Sequence, residues 1–430
     1  MSFNIWFVPT NSSHMAKNLD LLRKMREAGH SVLIICVDDF VDPLYHAFAQ
    51  IKDSDFEYET IPTGAFRLSC PPVVRWSRIA RSLYHARQER KLPRILRAFL
   101  SNHRHRPDVL IFCSEVWYID RRFIETAKTL GIPSILIADG IYVLWNDEYR
   151  PGFLRGMYER LQRRISHRLH RIGEKGTSGI ELALVINETS KAFLEKNGLA
   201  ERRIRVMGAP EYVALAKRMQ AMKDEDYSAI RRRIGILSDR PVVLFAHQPL
   251  AGEQELQRMI LDMVEGCRVA DAVLLVKFHP RSDDYPDAWR KWAEGQCLDG
   301  NRVVFVRDEC TSQDAVIICT ALVTLNSTVA LEALTCRRPM LLIKFLNTNH
   351  VMTYADDYGI ALDVRRREDL APSVAAIVLD EGLRKRLLEN YPRAIKRELN
   401  DLDENVVGAM LKTIEHLLEN RARSENASNT

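Results

Sequence analysis

Three side chains that can carry a positive charge follow a short apolar run at residues 273–276. They are Lys277, His279 and Arg281, and Pro280 restricts the turn between the last two. Ammonium, guanidinium and protonated imidazole groups bind phosphate oxygens through charge-assisted hydrogen bonds. The pattern therefore predicts a loop that binds the phosphates of a nucleotide donor. The loop contains Lys277, Pro280 and Arg281, and His279 acts on a phosphate. A histidine at a strand end is also compatible with a purely structural role.

A second polar group, Asn326, Ser327 and Thr328, precedes a helical pattern that reaches Cys336. Free N–H groups and hydroxyls at a helix N-terminus suit a phosphate, so these three residues are candidates for donor binding. The alternative is a helix cap without a ligand, and the two interpretations are compatible. Glu332, one turn into the helix, could accept hydrogen bonds from ribose hydroxyls or could simply lie on the helix surface.

His247 and Gln248 end the first apolar run of the C-terminal half, residues 242–246. In an open parallel sheet, ligands bind beyond the carboxyl ends of the strands. We therefore expect both side chains to reach the diphosphate or the sugar of a nucleotide donor.

A transfer reaction also needs a group that takes the proton from an acceptor hydroxyl. Asp139, Glu115 and His14 each end a strand-like run in the N-terminal half or lie in the loop that follows it. Asp139 is the first choice for the base, because the Asp-Gly turn leaves its side chain room. A solvent-facing turn aspartate is the competing interpretation. Glu115 is a second catalytic candidate, and His14 and Arg155 are candidates for the acceptor side.

The elements that must position these residues follow a β-loop-α-β order with continuous apolar strands, which is typical of parallel sheets. A chain of 430 residues is long for one core. The prediction is an α/β protein with two Rossmann-like domains whose sheets face each other across a cleft. We expect an acceptor-binding domain at 1–210, a linker at 211–240, a nucleotide-sugar domain at 241–420 and a disordered tail at 421–430.

Charge is distributed unevenly along the chain. Residues 1–210 contain 32 Lys and Arg against 23 Asp and Glu, whereas the remainder contains 30 against 34. Basic segments with apolar residues at helical spacing occupy 74–105, interrupted by Pro93, and 151–176. They favour an anionic partner for the N-terminal half, either an acidic acceptor or the anionic inner face of the cell membrane. Solvated helix faces are the alternative.

Other classes of protein fit the sequence less well. There is no apolar run of 18 residues and no N-terminal signal pattern, which favours a cytoplasmic protein. The eight cysteines are scattered, as expected of buried free thiols. No Gly-x-Gly-x-x-Gly follows the first strand, and Asp38-Asp39 and Asp356-Asp357 lack the spacing of a magnesium site. We expect no cofactor, no metal and no nucleic-acid partner.

Four stretches together resemble bacterial glycosyltransferases of the GT-B fold. They are 131–140 (GIPSILIADG), 206–210 (VMGAP), 277–281 (KFHPR) and 326–334 (NSTVALEAL). Among these enzymes the chain is most similar to sialyltransferases, polysialyltransferases and capsule Kdo transferases. The resemblance implies that Asp139 is the general base, that His279 binds or protonates the leaving phosphate, and that Ser327 and Thr328 hold the phosphate of a CMP-sugar. Teichoic-acid-type polyol-phosphate polymerases share the His-Pro-Arg and Ser/Thr layout.

The favoured function is an inverting, metal-independent glycosyltransferase that moves a sugar from CMP-nonulosonate or CMP-Kdo to a glycan or lipid-linked acceptor. Such a reaction would serve capsule or lipopolysaccharide synthesis. The alternatives are a CDP-polyol phosphotransferase, a UDP-sugar transferase or epimerase, and a non-catalytic nucleotide-sugar-binding or membrane-scaffold protein.

Overall fold

A computed structural model describes most of the chain. The described residues are 1–9, 12–37, 55–61, 80, 83–84, 87, 91–103, 106–114, 118–138, 144–145, 157, 179–248, 252–279, 286–300, 302–346 and 350–428. The chain divides into two compact units. The first unit comprises Met1–Ile141, Pro151–Pro210 and Asp403–Thr430, and the second comprises Tyr142–Arg150 and Glu211–Leu402.

The strands alternate with helices along most of the chain. In chain order the strands are β1 (Asn4–Val8), β2 (Ser31–Val37), β3 (Glu57–Ile61), β4 (Val109–Phe112), β5 (Ser134–Ile137), β6 (Leu144–Trp145), β7 (Ile180–Val185), β8 (Ile204–Val206), β9 (Val242–Ala246), β10 (Val273–Lys277), β11 (Val303–Val306), β12 (Ala321–Thr324), β13 (Met340–Ile343), β14 (His350–Val351) and β15 (Ala361–Val364).

The α-helices of the described residues follow the same order. They are α1 (Ser12–Glu27), α2 (Leu92–Asn102), α3 (Tyr118–Thr129), α4 (Glu188–Lys196), α5 (Pro210–Ala221), α6 (Asp224–Arg233), α7 (Glu253–Val269), α8 (Pro286–Gly295), α9 (Ser312–Ile318), α10 (Val329–Thr335), α11 (Tyr354–Tyr358), α12 (Leu370–Leu379), α13 (Glu381–Glu389), α14 (Tyr391–Leu399) and α15 (Val406–Ser428).

Each unit is built on a parallel sheet. Among the described residues, the sheet of the first unit has seven strands in the order β3-β2-β1-β4-β5-β7-β8, and that of the second has six in the order β11-β10-β9-β12-β13-β15. All neighbouring strands in these two sheets run parallel. A small antiparallel pair, β6 with β14, belongs to the second unit. The two parallel sheets confirm the predicted α/β class.

Burial explains why the strands of the second unit are apolar along their whole length. Every residue of β9, β10, β12 and β13 is buried. The core on one face of the sheet includes Val243, Phe245 and Val276 together with Met259 of α7 and Val374 of α12. Helices α9 and α10 contact strands of the same sheet. Because helices cover the strands, no polar alternation is needed in their sequences.

The predicted boundaries differ from the structure in two places. Residues 211–240 form α5 and α6 of the second unit rather than a linker, because both helices attach to α9 through Asp314. The chain after residue 402 returns to the first unit as α15, which includes residues 421–428 of the predicted disordered tail. Arg421 fixes this part of the helix by donating to both carboxylate oxygens of Glu181, at 2.7 and 2.9 Å.

The basic stretch around Pro93 contains helix α2. Pro93 lies in the first turn, where its missing N–H breaks no hydrogen bond. Leu92, Leu96 and Leu100 form the apolar face, and all three are buried within the protein. This face is therefore occupied by the unit's own core, and Arg94 and Arg97 lie on the exposed side of the helix. The other basic segment, 151–176, lies outside the described residues except for Met157.

Two further observations bear on the sequence-based expectations. Seven cysteines are described, all as free thiols, and each is buried except Cys297. Within the described ranges, no helix is both long and apolar enough to cross a membrane.

Candidate functional site

The strand order of the second unit reverses between β9 and β12. From β9 the chain proceeds outward to β10 and β11, and then returns to place β12 on the other side of β9. Loops that leave the carboxyl ends of two such strands separate and open a crevice, which is where open α/β sheets bind ligands. His247 and Gln248 follow β9 here, and Asn326 follows β12, so three of the predicted donor-binding residues lie at this switch point.

Gln248 joins the two sides of this switch point. Its Oε1 accepts a hydrogen bond from the backbone N–H of Asn326 at 2.9 Å. Gln248 is partly exposed, whereas Asn326 is buried. The contact joins the loop after β9 to the loop after β12.

His247 is buried at the same edge. Its side chain makes an edge-on contact with the ring of Phe278, with 5.1 Å between the ring centroids, and its backbone N–H donates to the carbonyl of Lys277. Only 3% of His247 is exposed. The structure thus shows His247 as a packed side chain at this edge, and its donor-binding role stays a prediction.

The side chain of Lys277 is engaged by the protein backbone. Its Nζ donates to the carbonyl oxygens of Arg307, at 2.6 Å, and Phe278, at 3.2 Å. The residue is 8% exposed, and burial lowers the pKa of its ammonium group, while acidic neighbours including Cys310 and Glu332 oppose that shift. Lys277 therefore joins the loops after β10 and β11 from inside the fold.

His279 stands two residues beyond β10, at the same edge of the sheet, and is partly buried. The brace from Lys277 holds the carbonyl of the peptide that precedes it. Pro280 and Arg281 lie outside the described residues. The structure thus places His279, but not the rest of its loop, beside the switch point.

The Ser/Thr motif forms the turn into α10. The Oγ of Ser327 accepts from the backbone N–H of Val329, the first residue of α10, at 3.3 Å, and the residue at the N-cap position is Thr328. Thr328 is exposed, and its side chain makes no capping hydrogen bond. Glu332, proposed for ribose, accepts from the hydroxyl of Ser312 at 2.9 Å, which ties α10 to α9.

Sequence reasoning missed the ion cluster around Asp314. Its carboxylate accepts from Arg218 of α5 at 2.5 Å and Arg233 of α6 at 2.6 Å. Burial opposes ionisation of Asp314, but the hydrogen bonds and charge of Arg218, with bonds from Thr311, outweigh it and hold the pKa below its usual value. Thr311 and Asp314 form a capping box at the start of α9, and this Thr-x-x-Asp pattern was the available signal in the sequence.

In the first unit the strand order reverses between β1 and β4. His14, in the first turn of α1, is 1% exposed. Asn18, which the sequence did not suggest, donates through Nδ2 to the carbonyl of His14 at 2.9 Å and to Sγ of Cys113 at 3.4 Å. These bonds tie α1 to the end of β4. Asp139, Glu115 and Arg155 lie outside the described residues.

No group of histidine, cysteine and acidic side chains that could hold a metal ion is found among the residues described. The expectation of a metal-independent reaction stays a prediction.

Solved structures of similar fold define the class. One is UDP-GlcNAc 2-epimerase of Methanocaldococcus jannaschii in complex with UDP-GlcNAc and UDP. Its sequence is 14% identical to this chain, and the TM-score is 0.59. The match covers 97% of this chain and 100% of the epimerase chain. A glycosyltransferase of Rickettsia africae is 11% identical with a TM-score of 0.57, covering 97% and 98%. The chain thus shares its two-sheet α/β fold with GT-B glycosyltransferases and epimerases.

The family match is more specific. The model of CDP-glycerol:poly(glycerophosphate) glycerophosphotransferases matches residues 158–371, just under half of the chain. The wall teichoic acid polymerase TagF, as a histidine-to-asparagine variant soaked with CDPG, has a TM-score of 0.56 at 15% identity, covering 97% of this chain and 89% of that one. A comparison with curated proteins gave no match. These findings support a transferase, and they favour the CDP-polyol alternative over the CMP-sugar donor.

Proposed function

We propose that the protein transfers a polyol phosphate, such as glycerol phosphate, from a CDP-activated donor to a hydroxyl group of a surface-polymer acceptor. The observation that carries this proposal is the family match over residues 158–371, which includes His247, His279 and the Ser/Thr motif. A similarly folded solved protein is a wall teichoic acid polymerase soaked with CDPG. The proposal replaces the CMP-sugar reaction that the sequence favoured, because none of these matches supports a CMP-sugar donor.

The reaction breaks one P–O bond and forms another. The acceptor hydroxyl oxygen attacks the phosphorus of the CDP-polyol that bears the polyol, and the bond from this phosphorus to the bridging oxygen breaks. That oxygen leaves with CMP, and the acceptor becomes joined to the polyol through a phosphodiester. The hydroxyl proton must pass to a base, and the negative charge that develops on the bridging oxygen must be stabilised.

In this proposal His279 stabilises or protonates the departing CMP oxygen, since it stands beyond the carboxyl end of β10. Lys277 supports the same end of the sheet with a buried positive charge. Ser327 and Thr328, with Asn326, contribute polar groups from the neighbouring side of the switch point, and Glu332 is the candidate for the ribose hydroxyls. Arg281, next to Pro280, is a further candidate for phosphate binding.

The first unit is proposed to bind the acceptor. Asp139 remains the candidate base, with Glu115 as the second choice, and His14 and Arg155 remain acceptor-side candidates. The excess of Lys and Arg in residues 1–210 favours an anionic acceptor, such as a polymer of polyol phosphates. A location at the inner face of the membrane belongs to the same proposal.

The experiment that tests this function compares donors. The purified protein is incubated with CDP-glycerol, CDP-ribitol, a CMP-nonulosonate, CMP-Kdo and UDP-GlcNAc, each with and without a glycerophosphate-primed acceptor, and nucleotide release is measured. We expect acceptor-dependent release of CMP from a CDP-polyol. Turnover of a CMP-sugar or of UDP-GlcNAc alone would overturn the proposal and restore one of the alternatives.

A further inference from the structure

The side-chain amide of Gln248 is held in one orientation by the backbone. The atom that meets the N–H of Asn326, 2.9 Å away, must be an acceptor, because a backbone N–H can only donate. The amide oxygen is therefore the end of Gln248 that is engaged within the protein. The nitrogen, Nε2, is the other end, and its two N–H groups can only donate.

The Nε2 end of the side chain, which can donate hydrogen bonds, lies where a ligand is expected. Gln248 follows the buried strand β9 and is partly exposed, so solvent or a ligand can reach it. Its Nε2 makes no hydrogen bond to any of the described residues. It lies at the switch point between β9 and β12, where parallel sheets bind ligands.

We propose that Gln248 is a specificity-determining residue that donates a hydrogen bond from Nε2 to a phosphate oxygen of the bound nucleotide diphosphate. The proposal rests on the proposed function for the identity of that nucleotide. Because the amide oxygen is engaged within the protein, only the N–H groups of Gln248 can meet a ligand. They favour a ligand rich in hydrogen-bond acceptors and disfavour a cation.

The base and the ribose also carry acceptor oxygens, so the donor end of Gln248 could in principle meet those instead. Contacts to the phosphate, to the base and to the ribose predict different effects on the affinities for cytidine, CMP and CDP. If Nε2 meets a phosphate, loss of the N–H donor will weaken CDP but leave cytidine almost unaffected, and CMP will weaken as well if the contact is to the α-phosphate. If Nε2 meets the base or ribose, all three ligands will weaken alike.

The decisive variant is Gln248→Glu. A glutamate keeps an oxygen for the N–H of Asn326, so the internal hydrogen bond survives, but it replaces the outward donor by a negatively charged acceptor. The matched control is Gln296→Glu, the same change at an exposed position after α8. Dissociation constants for cytidine, CMP, CDP and inorganic pyrophosphate are measured by calorimetry, and melting temperatures are recorded for both variants.

We expect Gln248→Glu to weaken CDP by about 10- to 100-fold, since hydrogen bonds to charged groups have about this effect. Cytidine should change less than about twofold, and the control should bind CDP like the parent protein. Unchanged CDP affinity in a folded Gln248→Glu protein would overturn the proposal, as would equal weakening of cytidine and CDP.

Failure of the proposed function is distinguishable from failure of this inference. If the parent protein binds UDP but not CDP, the proposed donor is incorrect, and the same variants tested with UDP decide the role of Gln248. If the parent protein binds neither diphosphate nor pyrophosphate, the switch point holds no phosphate and the inference falls.

Discussion

The Nζ atom of Lys277 lies 2.6 Å from the backbone carbonyl oxygen of Arg307, so one buried side chain joins the ends of β10 and β11. The same ammonium also holds the carbonyl of Phe278, immediately before His279. A lysine that the sequence places among ligand-binding residues is thus a brace for the loop that carries the candidate catalytic histidine.

Replacing Lys277 with methionine should therefore destabilise the loops after β10 and β11 more than it weakens nucleotide binding. Lys277→Met leaves two backbone carbonyls without their donor, and we expect the free energy of unfolding to fall by about 1–3 kcal/mol. Turnover should decrease, while the dissociation constant for CDP should change by less than about threefold. Lys291→Met, at an exposed lysine of α8, is the control. A large loss of CDP affinity with unchanged stability would instead indicate direct contact with the donor.

His279→Ala should lower acceptor-dependent CMP release by about 100-fold or more, because loss of a general acid or base typically has this effect. Since His279 is partly buried beyond the strand end, we expect the melting temperature to change little. His416→Ala, at an exposed position of α15, should retain parental turnover. Parental turnover in a folded His279→Ala protein would contradict the assigned role.

Asp314 should make stability depend on pH. Because its pKa is lower in the folded protein, the stabilisation is present above the unfolded-state value of about 4 and is lost as the pH falls through the folded-state value. Asp314→Asn should reduce the free energy of unfolding at pH 7 by about 1–3 kcal/mol, less than for a fully buried pair, because Arg218 and Arg233 are about half exposed.

Denaturant unfolding of both proteins between pH 3 and 8 measures this effect. The difference between parent and Asp314→Asn should be constant near neutral pH and shrink in acid. Asp287→Asn, at a carboxylate that is 84% exposed, should change stability little. A difference that does not vary with pH would indicate that Asp314 acts through packing rather than charge.

Gly266 allows α7 and α12 to approach closely. A Cβ atom there would lie 2.5 Å from the carbonyl oxygen of Ala371 and 2.8 Å from Cβ of Val374. We expect Gly266→Ala to destabilise the protein by about 1–3 kcal/mol, despite the helix propensity of alanine. Gly295→Ala, in α8, meets no atom within 4 Å and should be neutral or slightly stabilising. Equal melting temperatures for the two variants would contradict this packing.

The positions of His247, Gln248 and His279 after strands β9 and β10 could be predicted from the sequence, because the apolar run of each strand is continuous. The short apolar run at residues 315–318 belongs to α9 rather than to a strand. A short buried run has the same apolar pattern in a helix and in a strand, so periodicity could not decide.

Contacts between distant parts of the chain were beyond prediction. Nothing local to Arg218 indicates that it meets Asp314, 96 residues away, and the polar helices at 211–240 therefore resembled a linker. The role of Lys277 was missed for a related reason. A lysine after a strand has the same sequence pattern whether its ammonium points to a ligand or to two carbonyls.

The fate of the phosphorus atom distinguishes polyol-phosphate transfer from sugar transfer. CDP-glycerol labelled with ³²P at the phosphorus that bears glycerol is incubated with the protein and a glycerophosphate-primed acceptor. The label should enter the acceptor in proportion to the CMP released, and the released CMP should be unlabelled. Label that remains with the nucleotide, or an acceptor that gains no ³²P while nucleotide is consumed, would contradict the proposed function.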